Sequence, residues 1–172
     1  MGSRVWVFAG AGAVIVGVFV AAIVYVQWGA HVELQGRIAK VRTAAADEAS
    51  SIAVLDFRFV NPSDYPFIVR RVDVFVEDEN GQVHEGAVIS EADAKRLFEA
   101  LPLLGQKYNE SLLIRTRIRP RETMDRMVAA RFELPEARLA SRRRLWVRVE
   151  DVDGAVSEIA EAKLAAVGPP SP

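Results

Sequence analysis

The residue types that most often carry chemistry are scarce in this chain. Its 172 residues include no cysteine, so a thiol nucleophile and a thiolate zinc site are excluded. The two histidines, His31 and His84, have no second ligand at a metal-binding spacing. Asp151, Asp153 and Gly154 match part of a calcium loop, but its third acidic position and its terminal glutamate are missing, and Asp-Gly is typical of a hairpin turn. We therefore predict a non-catalytic protein with no metal ligand and no cofactor.

Arginine is the residue type whose distribution suggests a function. The net formal charge is only -1, yet residues 47–100 contain 12 acidic and 5 basic side chains, whereas residues 115–148 contain 11 arginines and 4 acidic side chains. Two arginine clusters form the candidate interaction face: Arg115, Arg117, Arg119, Arg121, Arg142, Arg143 and Arg144. The first four recur at every second residue, as on one side of a strand. They would suit an acidic protein or anionic lipid headgroups, or they pair with the acidic half across the sheet.

An acidic run provides a second candidate interaction face. Glu77–Glu79 precede Asn80–Gly81, which is typical of a two-residue hairpin turn, so we predict a solvated acidic tip. Nucleic acid is not an expected partner, because the chain is nearly neutral and only Phe132 and Trp146 lie among the arginines as stacking residues.

The first element expected along the chain is a membrane anchor. After a short tail, residues 1–4, the 24 residues from Val5 to Trp28 contain no charged side chain. This length is enough to cross a hydrocarbon core of ~30 Å, and aromatic residues near both ends favour the two interfaces. The sequence therefore predicts a transmembrane helix over residues 5–28. The alternative is a cleaved signal peptide with a small-residue site at Val20–Ala22.

The predicted anchor also carries a pairing motif. Small residues recur at every fourth position and would share one helix face, which allows homodimerisation through close helix approach: Ala9, Ala13, Gly17 and Ala21. The basic residues near the helix ends slightly favour a cytoplasmic C-terminus, but a very short N-terminal tail is typical of a signal anchor, and long domains translocate largely regardless of charge. We predict a single-pass protein of the cell (inner) membrane with residues 31–172 outside the cytoplasm.

Residues 31–165 are predicted to form one β domain. Apolar and polar residues alternate in successive short runs, with turn signals between them. Ser90 begins one short helix that ends near Pro102. Seven or eight strands with one helix are typical of an antiparallel, immunoglobulin- or fibronectin-like β-sandwich. Residues 122–137 also fit a helical spacing, and we interpret them as a strand because prolines bracket them. Residues 166–172 are predicted to be a disordered tail.

The strand exit at Phe57–Phe67, with the sequence FRFVNPSDYPF, resembles the water-stress and hypersensitive-response (WHy) domain, also called the late-embryogenesis-abundant group 2 domain. The matching features are a strand that leads into Asn61 and Pro62, followed by Pro66 and an apolar residue. The resemblance implies an immunoglobulin-like sandwich of about 100 residues, often placed after a membrane helix and associated with stress protection. Asn61 is expected to cap the strand exit while Pro62 fixes the turn, so both are predicted to be structural.

Together these patterns predict a membrane-anchored β-sandwich that acts as a non-catalytic binding or structural module at the cell envelope. The anchor would hold the domain near the bilayer and raise its effective concentration for neighbouring proteins or anionic lipids. Two alternatives stay open. One is a stress-protective domain that shields membrane or protein surfaces, and the other is an accessory subunit of an envelope enzyme complex.

Overall fold

The computed structural model describes residues 16–21 and 33–161 of a chain that divides into two units, residues 1–31 and 32–172. In the first unit, residues 16–21 are helical with exposed side chains, and Gly17 and Ala21 lie one turn apart on this helix. Within these described ranges, no helix combines the length and the apolar character that a membrane crossing requires. The remainder of the predicted anchor, its partners Ala9 and Ala13, and residues 162–172 lie outside the described residues.

The larger unit is mainly β, with eight antiparallel strands in a nearly closed sheet across residues 33–161. The strands are β1 (Gln35–Ala45), β2 (Ser51–Val60), β3 (Phe67–Glu77), β4 (Val83–Val88), β5 (Arg117–Ile118), β6 (Thr123–Phe132), β7 (Arg144–Asp151) and β8 (Val156–Ala160). Their order in the sheet is β1-β2-β6-β4-β3-β7-β8, and β5 pairs with β3. The outermost strands meet through a parallel bridge between Ile38 and Glu161 and a 2.8 Å hydrogen bond from the Leu34 N–H to Ser157 Oγ.

The predicted alternation builds the main core. Leu55, Phe57 and Phe59 of β2 pack inward against the equivalent apolar positions of β3, β6 and β7. Residues 122–137 are confirmed as strand over β6, although a short helix follows it. The two hairpins signalled by Asn-Gly and Asp-Gly are also confirmed, with positive φ at Gly81 and Gly154. The first has a longer loop than predicted, because β3 ends at Glu77 and β4 begins at Val83.

The prediction of a single helix in this unit is wrong. Helix α1 (Glu91–Ala100) begins as expected, with Ser90 Oγ accepting the Asp93 N–H at 3.2 Å. A 3-10 turn (Pro102–Leu104) follows it, and helix α2 (Glu136–Ala140) separates β6 from β7. Helix α1 and the 3-10 turn cover the outer face of β1, β2 and β6, where a second apolar cluster forms from Ala44, Ile52, Val54, Ala94, Leu104, Met127 and Ala129. Both faces of this part of the sheet are therefore buried.

The strand predicted from the two-residue spacing of Arg115, Arg117, Arg119 and Arg121 is reduced to the two residues of β5. Only Arg117 and Ile118 form ladder pairs there, with the first residues of β3. Before these residues, Ser111 forms a bridge with Met127 of β6, and the chain then makes a turn over residues 113–116 on its way to the start of β3. The alternating arginines therefore do not share one strand face.

The antiparallel order gathers the loops at two ends of the sheet. The end at which β1 begins also holds the end of β2 and the starts of β3 and β6. We call it the entry end, and define it by Gln35 and by residues 61–66, 113–122 and 152–155. The opposite, far end holds residues 46–50, 78–82 and 133–143. The two arginine clusters lie at opposite ends.

Candidate interaction surfaces

The first arginine cluster is exposed at the entry end. All four of its side chains are open to solvent. Arg121 pairs with Asp64, with 2.9 Å between Nη2 and Oδ1. Within residues 33–161, by contrast, no carboxylate lies within ion-pair distance of Arg115, Arg117 or Arg119. Pairing across the sheet therefore does not account for these three arginines.

Two members of this cluster sit in strained backbone. Arg115 has φ 68° and Arg121 has φ 60°, and no other non-glycine residue in the described ranges has a positive φ. Each is the third residue of a turn that is closed by a hydrogen bond from its last N–H to its first carbonyl, 3.1 Å for residues 113–116 and 3.2 Å for residues 119–122. Glycine is the usual residue at this position of a type II turn, and another residue costs about 1–2 kcal/mol.

Large apolar side chains are exposed beside these arginines. Leu113 is 48% exposed and Ile114 is 64% exposed, directly before Arg115. Tyr65 and Val152, on the neighbouring loops of the entry end, are 70% and 47% exposed. Ile114 lies in the segment whose alternation predicts a strand, but the turn over residues 113–116 directs its side chain to solvent. The entry end thus combines unpaired positive charge with exposed apolar surface.

Asn61 joins the loops of the entry end. Its side chain is fully buried, and Nδ2 donates to the carbonyl oxygens of Tyr65 at 2.7 Å and Arg119 at 3.2 Å. Its Oδ1 accepts the N–H of Ser63 at 3.1 Å and the Ser63 hydroxyl at 2.8 Å. These contacts are of the capping kind expected for Asn61, and they also link the loop after β2 to the arginine segment, which the sequence did not suggest.

Replacing Asn61 with alanine is expected to lower the free energy of unfolding by about 1–3 kcal/mol, because a fully buried side chain loses its hydrogen bonds to the Tyr65 and Arg119 carbonyls and to Ser63. Pro62 and Pro66 restrict the same loop but cannot replace that donor. Urea unfolding followed by circular dichroism would measure the change. Asn80→Ala, at an exposed hairpin position, is the matched control and should stay within about 0.5 kcal/mol. Equal urea midpoints for the two variants would contradict the role given to Asn61.

The second arginine cluster is paired with acidic side chains at the far end. Arg142 binds Glu161 through two hydrogen bonds of 3.0 and 2.8 Å. The other ion pairs are Arg143 with Glu77 at 4.0 Å and Arg144 with Glu158 at 3.4 Å. Ion pairing therefore accounts for this cluster, but of its three partners only Glu77 belongs to the acidic half, residues 47–100, whereas Glu158 and Glu161 follow the basic stretch in the sequence.

The acidic tip at Glu77–Glu79 is not wholly solvated as predicted, because Asp78 is fully buried. Its carboxylate accepts the N–H groups of Asn80 and Gln82, each at 2.9 Å, and contacts His84 Nε2 at 3.1 Å and the Arg138 guanidinium. Burial alone would raise the pKa of Asp78, but these donors outweigh it and lower the pKa to about 2. His84 is likewise half-buried rather than a surface residue. His31 lies outside the described residues.

A buried ion pair that the sequence did not reveal lies beneath α1. Arg42 on β1 and Asp56 on β2 are both almost fully buried, with 2.7 Å between Nη2 and Oδ2. Arg42 Nη1 also donates to the carbonyls of Leu104 at 2.5 Å and Gln106 at 2.7 Å, and Asn109 Nδ2 donates to Asp56 Oδ1 at 2.9 Å. The pair therefore fastens residues 104–109 to the sheet. Because Asp56 alternates with inward apolar residues, the sequence implied a solvent-facing side chain.

No group of three histidine or carboxylate side chains with metal-binding geometry occurs within residues 16–21 and 33–161. Asp151, from the partial calcium motif, instead accepts the Ile68 N–H at 2.7 Å. Among residues 33–161, the entry end brings together three arginines without an ion pair, two strained turns and exposed apolar residues. No protein-family model, curated protein or solved structure matches this chain.

Proposed function

We propose that this chain is a single-pass membrane protein whose β domain is a non-catalytic binding or structural module at the cell envelope. The uncharged run over residues 5–28 supports the anchor, since its length matches the bilayer core. Only six residues, 29–34, separate this run from β1. The anchor would therefore confine the domain to the region next to the membrane.

We further propose that the nearly closed sheet is an immunoglobulin-like sandwich of the WHy type. The order β1-β2-β6-β4-β3-β7-β8 corresponds to the strands A-B-E-D and C-F-G of the constant-type immunoglobulin fold. In this correspondence β4 is the strand that changes layers, because it pairs with β3 through residues 83–86 and with β6 through residues 87–88. The capping contacts of Asn61 add support for the resemblance.

The observation that carries the non-catalytic assignment is the use made of the buried carboxylates. Asp56, Asp78 and Asp151 each accept hydrogen bonds that hold a neighbouring loop or strand in place. A general acid or base must instead reach a substrate proton within hydrogen-bond distance. Carboxylates committed in this way favour a scaffold that presents a surface.

Protease accessibility of a C-terminally tagged full-length chain tests this proposal. Loss of the tag in spheroplasts treated with protease, but not in sealed inverted vesicles, is the expected result for an extracytoplasmic domain. Resistance of the chain to alkaline extraction from membranes, together with a mass that includes residues 1–28, is expected for an uncleaved anchor. Release by alkali or a shortened mass would overturn the anchor, and tag loss only in inverted vesicles would overturn the envelope location.

A further inference from the structure

We propose that the entry end of the β domain docks on the anionic lipid surface of the bilayer that anchors the chain, through residues 113–121. This inference rests on the anchor in the proposed function. It assigns a specific surface and a lipid ligand to the β domain, for which the proposed function names no partner. Four observations within the domain support it.

The first observation is where the chain enters the domain. Gln35 pairs with Val60 at the end of β2, and Val60 pairs with Thr123 at the start of β6, so the beginning of β1 lies at the same end as residues 113–121. Six linker residues, 29–34, reach at most about 20 Å when extended. The entry end is therefore the end of the domain that the short linker joins to the proposed anchor over residues 5–28.

The second observation is the composition of the docking segment. Residues 113–121 contain four arginines and no acidic residue. The Glu122 carboxylate accepts the backbone N–H of Arg119 at 2.6 Å, but it forms no ion pair with the Arg119 guanidinium. The exposed acids of this end lie outside the segment and include Glu33, Asp153 and Asp64, the last of which pairs with Arg121. Guanidinium groups bind phosphate through paired hydrogen bonds and are attracted to an anionic leaflet.

The third observation is the apolar surface next to these charges. Leu113 and Ile114 point to solvent immediately before Arg115, and Tyr65 is exposed on the adjacent loop. Aliphatic side chains can insert at the headgroup boundary while arginines remain among the phosphates, and tyrosine favours the same interface.

The fourth observation is the strain in both turns. Arg115 and Arg121 occupy the two positions of the described chain where a non-glycine residue has positive φ. Glycine would fit each turn with less strain, so folding alone does not favour arginine there. A ligand that requires positive charge at the turn tips would favour arginine at these two positions. The far-end arginines, which are paired with acids, show no such strain.

The test uses the full-length chain in lipid nanodiscs of phosphatidylcholine, with or without phosphatidylglycerol. Because the chain has no cysteine, a single Ile114→Cys variant can carry an environment-sensitive fluorophore. Its emission and its quenching by spin-labelled lipid report depth. Val83→Cys, which labels an exposed residue at the far end, is the matched control. We expect a blue-shifted, lipid-quenched signal at position 114 only, and only with phosphatidylglycerol.

Removing the positive charge of the arginines should release the entry end from the lipid without unfolding the domain. Each arginine near an anionic surface contributes about a fivefold factor, so the triple variant Arg115→Gly, Arg117→Gln and Arg119→Gln should lower the docked-to-free ratio roughly 100-fold. The matched control is Arg142→Gln, Arg143→Gln and Arg144→Gln, which removes the same charge from the far end. Arg115→Gly alone should weaken docking about fivefold while leaving the thermal midpoint unchanged or higher, because it relieves turn strain.

The outcomes separate this inference from the function on which it rests. A chain that does not stay in nanodiscs at all refutes the anchor. A chain that stays in the nanodisc while the probe at position 114 remains in water, with either lipid, refutes docking and leaves the anchor standing. Equal quenching with neutral and anionic lipid, or equal loss in the far-end control, would refute the role of the arginines.

Discussion

Replacing Arg42 with methionine is expected to lower the free energy of unfolding by about 3–5 kcal/mol, the largest effect among the single substitutions considered. The substitution keeps much of the side-chain volume but leaves the Asp56 carboxylate buried without its cation. It also removes the donor from the carbonyls of Leu104 and Gln106, so residues 104–109 should loosen from the sheet. Urea unfolding measures the stability, and amide hydrogen exchange at residues 104–109 locates the loosened segment.

An exposed pair of the same residue types is the matched control for Arg42. Arg58 and Asp125 also join adjacent antiparallel strands at 2.7 Å, but their side chains are 59% and 46% exposed. Arg58→Met should cost no more than about 1 kcal/mol, because water solvates the carboxylate that remains. The double variant Arg42→Met, Asp56→Leu should recover much of the loss by removing the buried charge altogether. Equal losses at Arg42 and Arg58 would contradict the assignment.

The second large effect is expected at Asp78, because protonation of its carboxylate at low pH should destabilise the far end of the domain. The folded pKa of about 2 lies below the unfolded value of about 3.9, so ionised Asp78 stabilises the fold above pH ~4. This stabilisation is lost progressively as the pH falls from about 4 to about 2. Protonation removes the negative charge that strengthens the hydrogen bonds from Arg138, His84 and two backbone N–H groups.

Asp78→Asn should therefore lower the thermal midpoint at neutral pH and flatten its dependence on pH between about 4 and 2. Thermal unfolding at a series of pH values measures both effects. Glu79→Gln is the control, since it removes a negative charge from the same loop at an exposed side chain. If the two variants had the same thermal midpoint at neutral pH and the same acid profile, the central role of Asp78 in this loop would be refuted.

Most of the strands could be predicted from the sequence, because apolar alternation and turn signals each depend on only a few neighbouring residues. Leu55, Phe57 and Phe59 alternate, Ser90 caps a helix, and Gly81 and Gly154 mark turns, and each of these signals needs only a few neighbouring residues. The burial of Asp56 could not be predicted in this way. It depends on α1 folding back over the outer face of β2, a contact between residues far apart in the sequence.

The candidate surface was harder to predict than the fold. The spacing of Arg115, Arg117 and Arg119 suggested a strand face, since period-two spacing gives no sign of the two turns that interrupt it. Proline at position 120 favoured a turn, but the positive φ at Arg121 falls on a residue for which it is unusual. Paired and unpaired arginines cannot be distinguished from the sequence, because pairing depends on whether the fold brings an acid to the side chain, as it brings Glu161 to Arg142.

The contact between β1 and β8 has a consequence for synthesis of the chain. These two strands are the first and the last of the domain, and they meet through Ile38 and Glu161. Until the final strand leaves the ribosome or the translocon, β1 and β7 each present an open edge with unpaired N–H and carbonyl groups, and such edges recruit other strands. A nascent chain is therefore vulnerable to aggregation until β8 is made, and chaperone protection would matter most in that interval.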